Sequence, residues 1–324
     1  MSKRIFKIIE KRNLWFSISM LFTLIGLALM PIRAFQSKPM LNYGIDFVGG
    51  TTMTFKFDEL NNRHLIAKQK NQTLKEVNTA FLNDIREALT PFGLENSDIQ
   101  ISQDQEVIIK TVNINQAKTI QIREALFQKL GNMETLEIDA IGPSMGSELR
   151  QRSIWILLIV FVALMLYIAW RFEWTFGIAA LISLLHDALT TLAFASMFNL
   201  EINSAFVAAI LTVLGYSLND TIVLFDRIRE NIKLLRKNDH SLTFIANLSI
   251  TQTMSRTINT TATVLLVVLC LIVLGGTTIK PFAVILFAGV VSGAYSTIFI
   301  ASPTLVSLKP STTEKKVTSS APKA

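Results

Sequence analysis

The sequence predicts a polytopic α-helical membrane protein with six transmembrane helices, one followed by five, and an α+β domain between the first and the second. Three observations lead to this prediction. Half of the 324 residues are apolar, which is more than a soluble core of this size requires. Six apolar segments are long enough to cross a bilayer, and one stretch of about 120 residues contains no such segment.

The six predicted spans follow one another with polar or charged residues at their ends. They are Leu14–Met30, Ile154–Trp170, Phe176–Phe198, Ser204–Phe225, Ile258–Leu274 and Phe282–Ala301. The first span follows a basic amino terminus, residues 1–13, and no Ala-x-Ala site comes after it. We therefore interpret it as an uncleaved span and not as a signal peptide.

The basic residues predict the orientation of the spans. Arg171 lies between the second and third spans, and a basic loop, residues 226–257, lies between the fourth and fifth, whereas the short loops on the other side carry only Lys280. Because Lys and Arg are enriched in cytoplasmic loops, we expect both termini in the cytoplasm and the α+β domain, residues 31–153, on the opposite side. The polar tail, residues 303–324, is expected to be disordered.

Strands and helices of the α+β domain alternate in the order β-α-β-β-α-β. They are predicted at Thr51–Phe57, Leu74–Thr90, Ile99–Ser102, Glu106–Val112, Ala117–Leu130 and Leu136–Ile141. This order is that of the ferredoxin-like fold, which hosts many functions and indicates none. The polar stretch Asp58–Thr73 is interpreted as a loop insertion. The segment Ile141–Ser153 is interpreted as a linker with a turn.

Composition excludes several classes of function. The basic residues flank membrane spans without interleaved aromatics, which argues against nucleic-acid binding. Cys270 is the only cysteine, so neither an intrachain disulfide nor a thiolate metal cluster can form. The three histidines lie in separate regions without zinc spacing, and there is no Gly-x-x-x-x-Gly-Lys loop for ATP. We expect no enzyme activity, no cofactor and no metal.

The fourth span carries Asn219 and Asp220 inside an apolar segment. A charged residue at the centre of a membrane helix opposes insertion by about 2.5 to 3.5 kcal/mol, so such residues usually face protein or water. Thr212 and Tyr216 share a helix face with them. The alternative is that Asp220, only about one and a half turns from Asp226, reaches toward the headgroups and marks the helix end.

Polar stripes also follow the third, fifth and sixth spans. Their members are Ser183, His186, Asp187, Thr190 and Thr191 in the third, Arg256, Asn259, Thr260 and Thr263 in the fifth, and Gly289, Gly293 and Ser296 in the sixth. Gly289 and Gly293 form a G-x-x-x-G pair that permits close helix contact. The hydroxyls and glycines are also compatible with packing alone, whereas ionisable groups at membrane depth are candidates for function.

Arg256 begins the fifth span and Asp220 ends the fourth, so the two side chains are predicted to pair. Pairing would hold the carboxylate ionised, and loss of the partner would favour its protonation. One charge moved across 100 mV changes the free energy by about 2.3 kcal/mol, which is sufficient to bias a conformational equilibrium. The hypothesis is a switch for proton passage.

Five motifs in order along the chain make the sequence similar to one family. They are NYGIDFVGGT at residues 42–51, IGPSMGSEL at 141–149, HDALTT at 186–191, GYSLNDTIVLFDRIREN at 215–231 and SRTINTT at 255–261. Together they resemble the SecD/SecF family, accessory subunits of the bacterial Sec protein translocase within the resistance-nodulation-division superfamily. The resemblance covers nearly the whole chain from the first span to the sixth.

The resemblance implies a subunit of a heteromeric complex in the bacterial inner membrane, with a periplasmic domain after the first span. It implies SecD as a partner half, association with the SecYEG channel, YajC and the SecA motor, and use of proton or sodium motive force to export preproteins. It also assigns residues. Asp220 and Arg256 match the transmembrane Asp and Arg of the ion pathway, with Asn219 beside them, and His186 and Asp187 match the HD motif. The structural motif residues are Gly44, Asp46, Gly49 and Gly50 before the domain and Gly142, Pro143 and Gly146 after it.

Three other classes of function remain open. Half of a drug or lipid exporter would need a larger substrate-binding domain than about 120 residues. An intramembrane aspartyl protease could use Asp187 and Asp220, but Ser217, Leu218 and Asn219 stand where such enzymes carry Gly-x-Gly. A structural scaffold would tolerate neutral replacements at His186, Asp187, Asp220 and Arg256.

Overall fold

The computed structural model describes residues 5–36, 39–69, 73–102, 104–235, 240–276 and 279–309. The chain divides into two compact units, a sheet unit, Tyr43–Ile154, and a helical unit built from the chain segments on either side of it. The predicted tail lies outside the described residues from 310 onward, as do residues 70–72 of the predicted insertion and Arg236 and Lys237 of the predicted basic loop. The disorder predicted for the start of the tail is wrong, because residues 303–308 continue a helix that begins at Ser302 and Pro303–Val306 are buried.

The predicted helices and strands occur in the predicted order, and short elements that the sequence did not predict occur between them, among them two helices within residues 45–69 and two-residue strands at 42–43 and 201–202. The helices are α1 (Arg12–Phe35), α2 (Ile45–Val48), α3 (Asp58–Gln69), α4 (Leu74–Leu89), α5 (Gln116–Leu130), α6 (Pro143–Arg171), α7 (Trp174–Met197), α8 (Ser204–Leu235), α9 (Leu242–Leu274), α10 (Lys280–Ser296) and α11 (Ser302–Leu308). The strands are β1 (Asn42–Tyr43), β2 (Gly50–Phe57), β3 (Asp98–Ile101), β4 (Glu106–Thr111), β5 (Met133–Ile141) and β6 (Glu201–Ile202). A π-helix, Thr297–Ala301, joins α10 to α11.

Six helical segments are long and apolar enough to cross a membrane, which confirms the six predicted spans. They are Ile9–Phe35, Pro143–Arg171, Trp174–Met197, Ser204–Leu235, Leu242–Leu274 and Lys280–Leu308. The third, fourth and sixth are central, because 44%, 56% and 61% of their most apolar windows are buried, against 11%, 6% and 17% for the others. Helices α7, α8 and α10 therefore form the core of the bundle.

Small residues bring the bundle helices into close contact. A Cβ atom added at Gly289 would overlap a methyl of Val213, and one at Gly293 would lie 2.9 Å from the Cβ of Ser217. The predicted G-x-x-x-G contact of the sixth span is confirmed, and its partner is α8. Gly26 of α1 lies equally close to Ala193 of α7.

The predicted basic loop, residues 226–257, is wrong as a loop, because its described residues are almost all helical. Helix α8 continues to Leu235, and α9 begins at Leu242, where the Ser241 side chain accepts a hydrogen bond from the Phe244 amide at 3.3 Å. Charged residues end a membrane span but are good helix formers, and no Gly or Pro interrupts the run. The apolar pattern located the span and not the end of the helix.

The predicted linker after β5 is also helical. Pro143 is the first residue of α6, a 29-residue helix that continues to Arg171. Proline at this position removes only an amide that the helix would leave unpaired, and its fixed φ suits the first turn. The predicted turn at Gly142, Pro143 and Gly146 is therefore a helix start.

The sheet unit has the predicted ferredoxin-like topology, with four antiparallel strands in the order β3-β4-β2-β5. Side chains of β2 at alternate positions, Met53, Phe55 and Phe57, are fully buried against helix residues such as Phe81 and Leu126. A bulge between Thr54 and Phe55 shifts the register of the β2–β5 pair.

The predicted loop insertion is wrong over residues 58–69, which form α3. Leu60, His64 and Ala67 fall at i, i+4 and i+7 and are buried on one face of this helix. The His64 ring bonds to Asn78 Oδ1 of α4 at 2.6 Å, and Arg63 pairs with Glu59 and Asp84. These two ion pairs raise the pKa of Arg63 against the opposing effect of burial. The helix has few apolar residues, so its polarity suggested a loop although its spacing is helical.

Candidate functional site

Asp220 lies in the buried part of α8 and lacks a partner for one carboxylate oxygen. The residue is 5% exposed, and Oδ2 has no hydrogen-bond partner within the described part of the chain. Two hydroxyls of the same helix near Asp220, one turn before it and directly after it, both form hydrogen bonds. Ser217 donates to Asp187 of α7, and Thr221 bonds to Thr297 of the π-helix at 3.0 Å. A buried carboxylate with an unsatisfied oxygen is unfavourable and marks a candidate site.

Arg256 does not form the predicted direct pair with Asp220. Across residues 240–276 and 104–235, neither an ion pair nor a hydrogen bond joins them, although Arg256 is near enough to act on the carboxylate through its charge. The Arg256 side chain is exposed and lines an open groove of about 400 Å³ between α8 and α9. The carboxylates of Asp226 and Glu230 also line this groove, which gives the guanidinium a polar environment.

Polar residues of α8 and α9 lie on the outside of the bundle. Thr212 and Asn219 of α8 and Arg256, Asn259 and Thr263 of α9 are all exposed, and we call these five residues the outer polar face. Tyr216 connects the two helices, with its hydroxyl 3.4 Å from Thr261 Oγ1. The four polar positions predicted for α8 thus divide, because Asp220 points inward and Thr212 and Asn219 point outward.

Asp187 is fully buried and its carboxylate is surrounded by hydrogen-bond donors. Ser217 of α8 and Ser296 of α10 donate to Oδ2 at 2.5 and 2.7 Å. Ser292 of α10 donates to Oδ1 at 3.1 Å, and His186 Nδ1 lies 3.1 Å from the same atom. The residue therefore joins all three central helices, whereas the sequence predicted a stripe on one helix.

His186 connects this cluster to α1. The Nδ1 atom of its ring faces Asp187 Oδ1 at 3.1 Å. Its Nε2 atom makes a very short contact with the Ser19 hydroxyl of α1 and lies 3.2 Å from Thr190 Oγ1. Thr190 in turn bonds to Thr23 of α1 at 3.1 Å.

The two predicted glycine motifs meet within the sheet unit. Gly49 has φ +83°, and a Cβ there would lie 2.8 Å from the Cα of Pro143. A Cβ at Gly146 would lie 2.8 Å from the Gly49 amide nitrogen, and one at Gly50 2.7 Å from the Thr111 carbonyl oxygen. The start of α6 thus packs on the backbone that follows α2, at a distance that only glycine permits.

Two residues of the first motif have different roles. Gly44 precedes α2, and its carbonyl accepts hydrogen bonds from Phe47 and Val48. Asp46 belongs to a group of carboxylates near β5. Burial, then Glu137, and then Asp46 raise the pKa of Asp139.

Sequence reasoning missed the hydroxyls that bond the carboxylate. The sequence patterns do not indicate Ser217 or Ser292 as partners of a carboxylate, and Ser19 and Thr23 lie inside the apolar first span. A usable signal exists, since Ser292 and Ser296 are four residues apart on one face of a predicted helix. What the sequence does not reveal is which carboxylate they face.

Comparisons with known proteins agree on one family. The family described as "Protein export membrane protein SecD/SecF, C-terminal" matches residues 121–311, and the "SecD/SecF GG Motif" matches residues 41–59. "Protein translocase subunit SecF" of Sebaldella termitidis is 34% identical over 94% of this chain and 92% of its own length. The proteins of the same name from Desulfurispirillum indicum and Rickettsia prowazekii are 39% and 36% identical, over 83% and 96% of this chain and 83% and 94% of their own lengths.

Two solved structures share the fold. The crystal structure of SecDF from Thermus thermophilus, described as a translocon-associated membrane protein, matches 95% of this chain with a TM-score of 0.79 and 30% identity. SecDF in its super-membrane-facing form matches 99% with a TM-score of 0.66 and 28% identity. This chain spans only 39% and 41% of those two chains.

Proposed function

This chain belongs to the SecD/SecF family and is a multi-pass accessory subunit of the Sec protein translocase, and we propose that it couples an ion-motive force to preprotein export through Asp220 and Arg256. The coupling ion is a proton or sodium. The chain acts with a SecD partner, since each solved SecDF chain is more than twice the length that this chain matches.

The observation that carries the proposal is the outer polar face beside an unpaired buried carboxylate. The membrane-spanning helices α8 and α9, which are neighbours in the bundle, expose Asn219, Arg256 and Asn259. Lipid would not satisfy these groups, and a charged residue at the bilayer centre is opposed by about 2.5 to 3.5 kcal/mol. Helices of the SecD half covering this face would remove that penalty and complete the site from two chains.

Chemically, Asp220 is the group that binds and releases the ion. Its free oxygen accepts a proton or a sodium ion without first losing a hydrogen bond. Arg256 interacts with the ionised form through its charge, so binding of the ion weakens the hold of α9 on α8. A charge moved across 100 mV contributes about 2.3 kcal/mol to such a conformational change.

The surroundings of the complex form part of the proposal. The SecYEG channel, the YajC subunit, the SecA motor and the translocating preprotein are its partners. The chain lies in the bacterial inner membrane with both termini cytoplasmic, as the basic residues at the α8–α9 end of the bundle favour. The sheet unit is then periplasmic.

The test is accumulation of an uncleaved secretory precursor in cells whose only copy carries Asp220→Asn. Precursor is expected to build up while native gels show an assembled complex. Glu173→Gln is the matched control, because Glu173 is an exposed carboxylate of the same bundle that pairs with Lys309 at 2.9 Å and does not line the groove of Arg256. Export as efficient in Asp220→Asn as in the control would refute the coupling role and favour a scaffold whose partner carries the ion.

A further inference from the structure

We infer that Asp187 is a positioning residue and not an ion carrier: with Ser217, Ser292, Ser296 and His186 it forms a fixed hub that sets the rotation of α8 and so aims Asp220. The inference rests on the proposed function for its importance and differs from the expectation that Asp187 and His186 belong to the ion pathway. The evidence is a difference in hydrogen bonding between the two carboxylates. Both oxygens of Asp187 accept hydrogen bonds, whereas Asp220 Oδ2 has no partner among the described residues.

The Asp187 carboxylate has its hydrogen-bonding capacity engaged on both oxygens. Ser217 and Ser296 donate to Oδ2, Ser292 donates to Oδ1, and His186 Nδ1 contacts Oδ1, while the residue is fully buried. An ion that bound there would have to displace hydroxyls anchored on α8 and α10. Asp220 differs, because its Oδ2 atom has no partner among the described residues. The Asp187 carboxylate is therefore held in place by its hydrogen bonds, and the Asp220 carboxylate can bind a ligand.

The hub acts on Asp220 through α8. Ser217, one turn before Asp220, bonds to the hub at 2.5 Å, and Thr221, directly after it, bonds to Thr297 at 3.0 Å. Ser217 and Thr221 are four residues apart and share a helix face. Asp220 is then turned about 80° around the axis from the middle of that face. These two bonds fix the face that meets α10, and so they leave the Asp220 carboxylate on the side toward α9.

The π-helix helps place both bonds. Ser296 is the last residue of α10 and bonds to Asp187, whereas Thr297 is the first residue of the π-helix and bonds to Thr221. Successive residues of one helix thus hold α7 and α8 separately. A π-turn widens the helix at this point, a feature that occurs frequently at functional sites.

His186 extends the hub to the first span. Its ring bonds Asp187 through Nδ1 and contacts Ser19 through Nε2, so four helices share one polar cluster. Helix α9 has no residue in this cluster, and its apolar window is only 17% buried, against 56% for α8. The hub holds α1, α7, α8 and α10 together, and α9, which carries Arg256, lies outside it.

The test measures the rotation of α8 directly. Cysteines are placed at Leu218, which is 5% exposed, or at Asn219, which is exposed, in the full-length chain with Cys270→Ser, purified in detergent. Labelling by a soluble maleimide should strongly favour position 219. Since the loss of a buried hydrogen bond is unfavourable, Asp187→Asn or Ser217→Ala should raise labelling at 218 relative to 219 about tenfold. Ser217→Thr, which retains the hydroxyl, should restore the original ratio.

Two controls separate this inference from the proposed function. Thr191→Val removes a buried hydroxyl of α7 whose hydrogen bond, to the Asp187 carbonyl, stays within its own helix, so the labelling ratio should not change. Asp220→Asn should also leave the ratio unchanged, whatever its effect on export. An unchanged ratio in both Asp187→Asn and Ser217→Ala would overturn the positioning role. Normal export by Asp220→Asn would instead refute the coupling role and leave the labelling result standing.

Discussion

Replacing Gly289 by alanine should lower the free energy of unfolding of the bundle. A second substitution, at Val213, should recover part of that loss. An added Cβ would overlap the Cγ2 methyl of Val213 and lie 3.1 Å from its Cγ1. Such overpacking typically costs about 1 to 3 kcal/mol. The three nearest atoms all belong to Val213, so Val213→Ala removes the two overlapping methyls and leaves only its Cβ, at 3.2 Å. Alone, that substitution should cost roughly 1 to 3 kcal/mol, twice the range for a single lost methyl.

The double variant should lose less free energy of unfolding than the two single variants lose together, with a coupling free energy of about 0.5 to 3 kcal/mol. Thermal unfolding of the full-length chain in detergent measures this, at about 2 to 4 °C per kcal/mol for a unit of about 200 residues. Gly215→Ala is the control, since a Cβ there meets no atom within 4 Å. Additive effects of Gly289→Ala and Val213→Ala would show that the two helices are not in contact at this point.

Two further predictions concern the sheet unit. Because burial and Glu137 raise the folded-state pKa of Asp139, its stabilising contribution is complete below the ordinary Asp pKa of about 3.9 and is lost as the pH rises through the folded value. Asp139→Asn should therefore raise the melting temperature at pH 7 and leave it unchanged at about pH 3, and equal effects at both values would contradict this. Gly93→Ala should cost about 1 to 2 kcal/mol for its left-handed φ alone. Gly49→Ala should cost more in the same unfolding measurement, since its Cβ also meets the Pro143 backbone, and an equal cost would show that the close approach does not matter.

Sequence patterns located the spans and the sheet, because both depend on where apolar residues recur. The six spans and the β-α-β-β-α-β order follow from local periodicity, which the bilayer and the sheet core both require. The ends of α8, α9 and α6 do not follow from it. Charged residues such as Arg227 and Glu230 end an apolar run but continue a helix, and their ion pair at 2.6 Å supports it.

Sequence reasoning identified the ionisable groups of the site and not their partners. Asp187 and Asp220 stand out in apolar segments because a membrane disfavours charge. Their environments differ because of serines on two other helices, and helix packing decides which carboxylate those serines reach. The predicted pair of Asp220 with Arg256 failed for the same reason. Two residues at neighbouring helix ends can be close along the chain's path through the membrane. Their side chains meet only if the rotation of each helix about its axis also turns them toward each other.

The amino terminus is joined to a helix made much later in synthesis. The Ile8 and Ile9 amides donate to Asn247 Oδ1 at 3.0 and 3.1 Å, and Asn247 Nδ2 donates to both carboxylate oxygens of Glu10. The Phe6 amide donates to Thr251. While the ribosome is still producing the first four spans, these amides have no protein acceptor from α9. Residues 6–9 can therefore take their final place only after α9 has been made, so this contact forms late although these residues precede the first span.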